Sequence, residues 1–257
     1  FWMETGTSVP YQVGFATDVG RKRQQNQDSG IPVPDLGLFV VADGMGGHKG
    51  GETASAKVVE VLPTVVRQDF GQLAERKLTA AELLRKAVLA SNQAILDHAS
   101  ANPQLKGMGT TTTAILFHET HVSIAQVGDS RCYFFRKGQL WQLTRDHSLV
   151  QEKFRAGLIT REQMRTDQMK NVITRSVGYD PDLEVDVYGM SVEPGDAFLL
   201  CSDGLTGMVD DLHLREAVDQ YLFDSKDAQT AVTKLIEQAN QNGGDDNVTA
   251  LLVQFIA

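Results

Sequence analysis

Five aspartates stand where this chain leaves an apolar run or turns tightly, mostly beside glycine: Asp28, Asp43, Asp129, Asp203 and Asp246. Asp43 has the most suggestive surroundings. The apolar run from Leu38 to Ala42 leads directly into it, and five of the eight residues after it are glycine. Glycine lacks a Cβ and tolerates positive φ, so such a loop lets backbone come close to a ligand. Two nucleotide readings fail on spacing. A P-loop needs Ser or Thr after Gly-Lys, but Lys49 precedes Gly50, and Lys49 also interrupts the glycine spacing of a dinucleotide fingerprint. If the strand ends converge, the donor set is all oxygen, which suits Mg²⁺ or Mn²⁺ rather than zinc. His118 and His121 are the one spacing that could suggest zinc, but they lack further ligands and fit a hairpin turn.

The elements that must carry these acids can be read in outline. Tyr11 to Asp18 alternates as a strand and runs into a polar loop, Gly20 to Asp28, that contains three cations. An arginine there could grip a phosphate bidentately. Glu52 to Leu62 reads as a helix stopping at Pro63, and Thr79 with Glu82 as a capping box opening an amphipathic helix that ends before Asn102-Pro103. Thr110 to Phe117, His121 to Val127, Arg131 to Phe135 and Gln139 to Leu143 then describe an antiparallel meander, with Gly128-Asp129-Ser130 as one of its hairpin turns. Between Thr144 and Val177 the pattern loosens into a charged, Met-containing stretch, long enough to be an inserted lid. Strands resume at Val185 to Met190 and Ala197 to Cys201, helices follow at Leu212 to Leu222 and Lys226 to Gln241, and Val248 to Phe255 closes the chain as a strand.

Composition narrows the function classes. With 24 Lys and Arg against 33 Asp and Glu among 257 residues, the net charge is −9, which disfavours nonspecific nucleic-acid binding. No apolar run is long enough to span a bilayer. Two cysteines, Cys132 and Cys201, lie in apolar strands and read as free thiols of a reducing, cytoplasmic protein. Phe1 to Pro10 has no signal-peptide pattern and reads as an N-terminal extension or tag remnant.

Taken together, the blocks resemble the metal-dependent PPM family, the type 2C serine/threonine protein phosphatases of bacteria. They occur in family order: Arg23 to Asp28 (R-x-x-N-Q-D), Val41 to His48 (V-A-D-G-M-G-G-H), Met108 to Thr112 (M-G-T-T-T), Val127 to Arg131 (V-G-D-S-R), Asp146 to Leu149 (D-H-S-L), Cys201 to Thr206 (C-S-D-G-L-T) and Asp246 to Thr249 (D-N-V-T). The resemblance implies an α+β fold in which two mostly antiparallel sheets form a sandwich flanked by helices. It also implies one catalytic domain over residues 11–257, with a flap inserted at 146–177.

The resemblance further implies two Mg²⁺ or Mn²⁺ ions. Asp43 would bridge them with help from the Gly44 carbonyl, Asp203 and Asp246 would complete one shell, and Asp28 would act through bound water. Asp129 with Asp203 would form a weaker third site. Arg23 would bind the substrate phosphate, and His48 is a candidate general acid. Two metals ~3.5–4 Å apart neutralise a phosphate and lower the pKa of a shared water, giving an in-line nucleophile without a covalent intermediate.

The substrates implied are phosphoproteins, products of a serine/threonine kinase, with no nucleic-acid or membrane partner and a monomeric enzyme. A metal-dependent phosphodiesterase and a catalytically silent phosphoprotein-binding module are the alternatives. Two departures from the family pattern stand near the site: Gln27 where Glu is common, and Asp245 where a cation often precedes Asp246.

Overall fold

Alternation along the strands decides the layering. In the computed structural model, which describes residues 10–46 and 50–256, the chain runs β1 (Tyr11–Asp18), β2 (Asp28–Val33), β3 (Leu38–Met45), α1 (Gly50–Asp69), α2 (Gly71–Ala74), α3 (Ala80–Ala101) and β4 (Gly109–Thr110). It continues through β5 (Thr112–His118), β6 (His121–Val127), β7 (Arg131–Arg136), β8 (Gln139–Gln142), α4 (Leu149–Arg155), α5 (Arg161–Thr166), β9 (Asp186–Ser191) and β10 (Ala197–Cys201). It ends with α6 (Asp203–Thr206), α7 (Asp211–Ala217), α8 (Ala228–Gln241) and β11 (Val248–Phe255). Most of the expected N-terminal extension, and His48, lie outside the described residues.

One sheet has the order β1-β11-β10-β7-β8; the other has β2-β3-β5-β6-β9, with β4 added against β3. The named pairings are antiparallel. Phe39 and Val41 of β3 face Phe198 and Leu200 of β10 and Leu251 and Val253 of β11 in a core between the sheets. The alternate residues Leu38, Val40 and Ala42 pack under α1 and α3. On the far side, Leu199, Ala250 and Leu252 pack under α7 and α8. With two apolar faces each, the central strands read as continuous hydrophobic runs. The result is the expected helix–sheet–sheet–helix sandwich of the α+β class.

Three local expectations change. The segment from Thr112 to Gln142 is not one meander: β5–β6 is a hairpin of one sheet and β7–β8 a hairpin of the other. Gly128-Asp129-Ser130 is therefore the point where the chain crosses between sheets. Short spacing alone cannot distinguish a hairpin from such a crossing. Helix α1 also continues past Pro63 to Asp69. Leu62 and Val66 extend the buried stripe of Ala54 and Val58, and their packing outweighs the backbone hydrogen bond that proline removes. Third, β2 was not legible in Asp28–Val33, because Gly30 and Pro32 weaken a strand reading. It lies at a sheet edge, where proline is tolerated.

The capping box on α3 forms as expected, with Thr79 accepting from the Glu82 N–H at 3.2 Å. Helix α7 passes into a π-helical stretch, Val218–Asp224, and α8 starts two residues after Lys226 because Asp227 caps it through the Thr230 N–H.

Candidate metal centre

Two sheets contribute acids to one place. Asp28 and Asp43 are cross-strand partners on β2 and β3. Asp203 opens α6 directly after β10, and Asp246 lies two residues before β11, the strand beside β10. Asp129 comes from the crossing turn. Burial raises the pKa of the Asp43 carboxyl, and the charges of Asp28, Asp203, Asp129 and Asp246 raise it further.

The backbone of Asp43 is fixed by threonines of the run from Thr110 to Thr113. Its N–H donates to Thr111 Oγ1 (2.9 Å), and its carbonyl accepts from the Thr111 N–H (2.8 Å) and Thr110 Oγ1 (2.9 Å). Thr111 Oγ1 also pairs with Ser130 Oγ at 2.6 Å. Gln126 Nε2 holds the crossing turn by donating to the carbonyls of Gly128 (2.9 Å) and Ser130 (2.7 Å). A continuous set of hydrogen bonds thus joins the Asp43 backbone to the turn carrying Asp129. The signal in the sequence is a run of four threonines, Thr110 to Thr113, after the Met108-Gly109 step, with nothing to say what they touch.

Gly44 is shaped by the helix that follows. A Cβ there would lie 2.1 Å from the Gly51 carbonyl oxygen and 2.6 Å from that of Gln27. The end of β3 therefore rests directly on the first turn of α1. Gly44→Ala is expected to destabilise the protein by about 1–3 kcal/mol through overpacking, read by urea denaturation. A denaturation midpoint equal to wild type would contradict this contact.

Asp28 joins the two sheets. Its Oδ2 accepts from Ser202 Oγ (2.8 Å) and Thr249 Oγ1 (2.7 Å), residues beside β10 and within β11. Among the described residues its buried Oδ1 has no hydrogen-bond partner, and neither has Asp129 Oδ1. A buried carboxylate oxygen left unpaired is costly unless a cation or water meets it.

The cation-rich loop is pinned by Asn247. Its Nδ2 donates to the carbonyls of Val19 and Gln25 (both 2.9 Å), and its Oδ1 accepts from the Gln27 N–H (2.9 Å). The same loop carries Arg23, whose Nη2 donates to Asp246 Oδ2 at 2.7 Å. Lys22 pairs with Asp245 at 2.6 Å. Asn247→Ala leaves three backbone groups to find new partners. The expected loss is about 1–3 kcal/mol of stability, with a raised KM for phosphopeptide because the Arg23 loop loosens. Steady-state kinetics with wild-type KM would count against that link.

Burial is the main cause of the electrostatic character. It pushes Asp28 up to about 7, with Asp203 and Asp246 adding to the effect while the Thr249 and Ser202 hydroxyls oppose it. Asp129 is pushed up to about 8 by burial and then by Asp203 and Asp146. Asp43 lies well above the carboxylate range for the same reasons, and Asp203 is raised by burial and by Asp246 while a hydrogen bond with Asp43 lowers it. Among the described residues, no three His, Cys, Asp or Glu side chains are arranged to hold one ion as they stand. Asp43 and Asp203 share a hydrogen bond, and Asp246 is turned to Arg23. In chemistry and placement the set still fits a hard divalent cation: all oxygen, excess negative charge, and two buried oxygens without partners.

Other candidates resolve without a metal. His118 and His121 close the β5–β6 hairpin as cross-strand partners. Cys132 and Cys201 are buried free thiols. Burial pushes Cys201 up to about 12 and Cys132 higher still, so neither serves as a nucleophile.

Comparison with known proteins identifies the family and the fold. Residues 20–252 match the family described as protein phosphatase 2C. The chain is 39% identical over 246 residues to the serine/threonine phosphatase stp of Listeria monocytogenes, covering 93% of this chain and 94% of that protein. It superposes on the crystal structure of the Mycobacterium tuberculosis serine/threonine phosphatase PstP/Ppp with a TM-score of 0.86 at 34% identity, over 96% of this chain and 99% of that one. A structure of the PstP catalytic domain in complex with two manganese ions superposes with a TM-score of 0.83 at 33% identity, over 96% and 99% of the two chains. The chain belongs to the protein phosphatase 2C family.

Proposed function

We propose that this protein is a metal-dependent serine/threonine phosphoprotein phosphatase that hydrolyses phosphoserine and phosphothreonine monoesters. The observation that carries the reading is the convergence of five buried or half-buried aspartates from both sheets, two of them with oxygens that no group among the described residues satisfies. Asp43, the Gly44 carbonyl, Asp203 and Asp246 would hold two Mg²⁺ or Mn²⁺ ions, Asp28 would act through water, and Asp129 with Asp203 would take a weaker third. When bound, such ions neutralise the phosphate and lower the pKa of a water so that it can act as nucleophile.

The chain's own groups have distinct tasks. Ser202 and Thr249 hold one oxygen of Asp28, which leaves the other to orient a water. Thr110 and Thr111 fix the Asp43 backbone, so that only its carboxylate rotates. Arg23, on the exposed loop, would exchange Asp246 for the substrate phosphate, a swap between two oxygen anions for the same guanidinium. That exchange frees Asp246 for its ligand role. His48, on the glycine loop, is the candidate acid for the leaving alkoxide.

In this reading residues 11–257 are one catalytic domain, and residues 146–177, with α4 and α5, form its flap. Among the described residues no helix is long and apolar enough to cross a membrane. The net charge of −9 favours protein over nucleic-acid partners. We infer a cytoplasmic monomer that acts on the products of a serine/threonine kinase. A phosphothreonine peptide should be hydrolysed with Mn²⁺ or Mg²⁺, stay intact in EDTA and remain a substrate in the presence of okadaic acid. Full turnover after exhaustive metal removal would overturn the reading.

A further inference from the structure

His147 belongs to none of the tasks above, yet it is buried and uses every polar atom it has. Its Nδ1 accepts from the Gly128 N–H at 3.1 Å, and its own N–H donates to the Gly128 carbonyl at 2.9 Å. Gly128 is the residue before Asp129 and has φ +98. An acceptor Nδ1 requires the proton on Nε2, which stands 3.2 Å from Asp186 Oδ2. Asp186 is itself held by Arg175 Nη1 (2.7 Å) and by the Tyr188 hydroxyl (3.1 Å). The His147 carbonyl accepts from the Thr174 N–H at 2.9 Å, and Leu149 donates to Val172, so the two ends of the flap are zipped together at this residue. On the other side of Asp129, Arg131 makes a forked pair with Asp146 at 2.7–3.1 Å. The dipeptide Asp146-His147 therefore grips the crossing turn on both sides of its acid.

We propose that His147 is a positioning residue for Asp129: its imidazole, oriented by Asp186 and Arg175 at the base of the flap, fixes Gly128 and so aims the Asp129 carboxylate. The proposal rests on the reading of Asp129 as a metal-facing acid. Its logic is that of an outer-shell partner, whose loss weakens metal affinity by about 10–100-fold with the ligands intact.

The test uses the full chain and manganese alone as the probe. Mn²⁺ binding is followed by calorimetry, beside the Mn²⁺ dependence of phosphopeptide turnover, in wild type, His147→Ala, His147→Asn, Asp129→Asn and the His147→Ala/Asp129→Asn pair. Asparagine keeps an oxygen acceptor near the Nδ1 position but cannot reach Asp186. Expected results are a weakest Mn²⁺ step about tenfold weaker in His147→Ala, substantial recovery in His147→Asn, and a double variant no weaker than Asp129→Asn alone. Wild-type Mn²⁺ binding in His147→Ala, multiplying effects in the double variant, or no recovery with asparagine would each overturn the proposal. An Asp129→Asn variant with unchanged Mn²⁺ binding would overturn the role of Asp129 and the proposal with it. Asp129→Asn weakened beside an unaffected His147→Ala would remove the proposal alone. Should His147→Ala fail to fold, the ¹⁵N shifts of His147 in the wild type still decide: an unprotonated Nδ1 supports the proposal, and a protonated Nδ1 ends it.

Discussion

Asp203→Asn is expected to reduce hydrolysis of a phosphothreonine peptide by at least about a hundredfold, because loss of an outer-shell partner alone weakens metal sites by ~10–100-fold and Asp203 is proposed as a direct ligand. The sign of its stability effect should be opposite. In the metal-free protein Asp203 is a buried carboxyl with its pKa raised by desolvation and by Asp246, so its ionised form opposes folding. A neutral amide of the same shape removes that repulsion. The variant should therefore unfold at a temperature no lower than wild type in EDTA, and should gain less from added Mn²⁺. Turnover equal to wild type, measured with saturating Mn²⁺, would reject the assignment of this residue.

The second large effect concerns pH and metal together. Asp28 and Asp129 have folded-state values of about 7 and about 8 against an ordinary 3.8. Between those values the folded protein holds protons that the unfolded chain has released. Stability therefore falls as pH rises from about 4 to about 8, because the unfolded state binds fewer protons. His147 acts in the opposite direction at lower pH: burial lowers its pKa, so stability from that group is gained as pH rises towards 6.5. Above pH 6.5 the acids dominate.

Thermal melts in EDTA at pH 6.5, 7.0, 7.5 and 8.0 should show a falling midpoint. Saturating Mn²⁺ should raise the midpoint most at the high-pH end, since a bound cation replaces the protons and stabilises the folded state by mass action. A midpoint in EDTA that is flat or rising over this range would mean that the acids are not the electrostatic strain described above.

The sequence revealed the strands, the helices and the acids, and the layers only through the family resemblance, but not what fixes the acids in place. Strand alternation and the capping box at Thr79 depend on neighbours within a few residues, and such features are readable from local pattern. Proline at position 63 misled because its local penalty is outweighed by the burial of Val66 against another helix. Gly128 to Ser130 misled because a hairpin and a crossing between sheets have the same length. Thr111, Ser202, Asn247 and Thr249 carry the acids through hydrogen bonds to partners distant in the chain, up to 228 residues apart for Asn247 and Val19. Small polar residues in strands give no one-dimensional sign of such pairings. The sequence suggests that Gly44 brings a carbonyl near a ligand; the structure adds that Gly44 and Gly51 form the seat of β3 on α1.

The division of the acids between the two sheets bears on how the protein reaches its working form. Asp28 and Asp43 belong to one sheet, Asp203 and Asp246 flank strands of the other, and the Asp28 carboxylate is held by hydroxyls from across the sandwich. Neither sheet contains a site of its own. Because β1 pairs with β11 across nearly the whole length of the chain, the sheet that carries Asp246 closes only after long-range pairing, which is the slow part of folding. A molecule whose two sheets had not docked would lack part of the acid set. The appearance of phosphatase turnover would then time the docking of one sheet on the other.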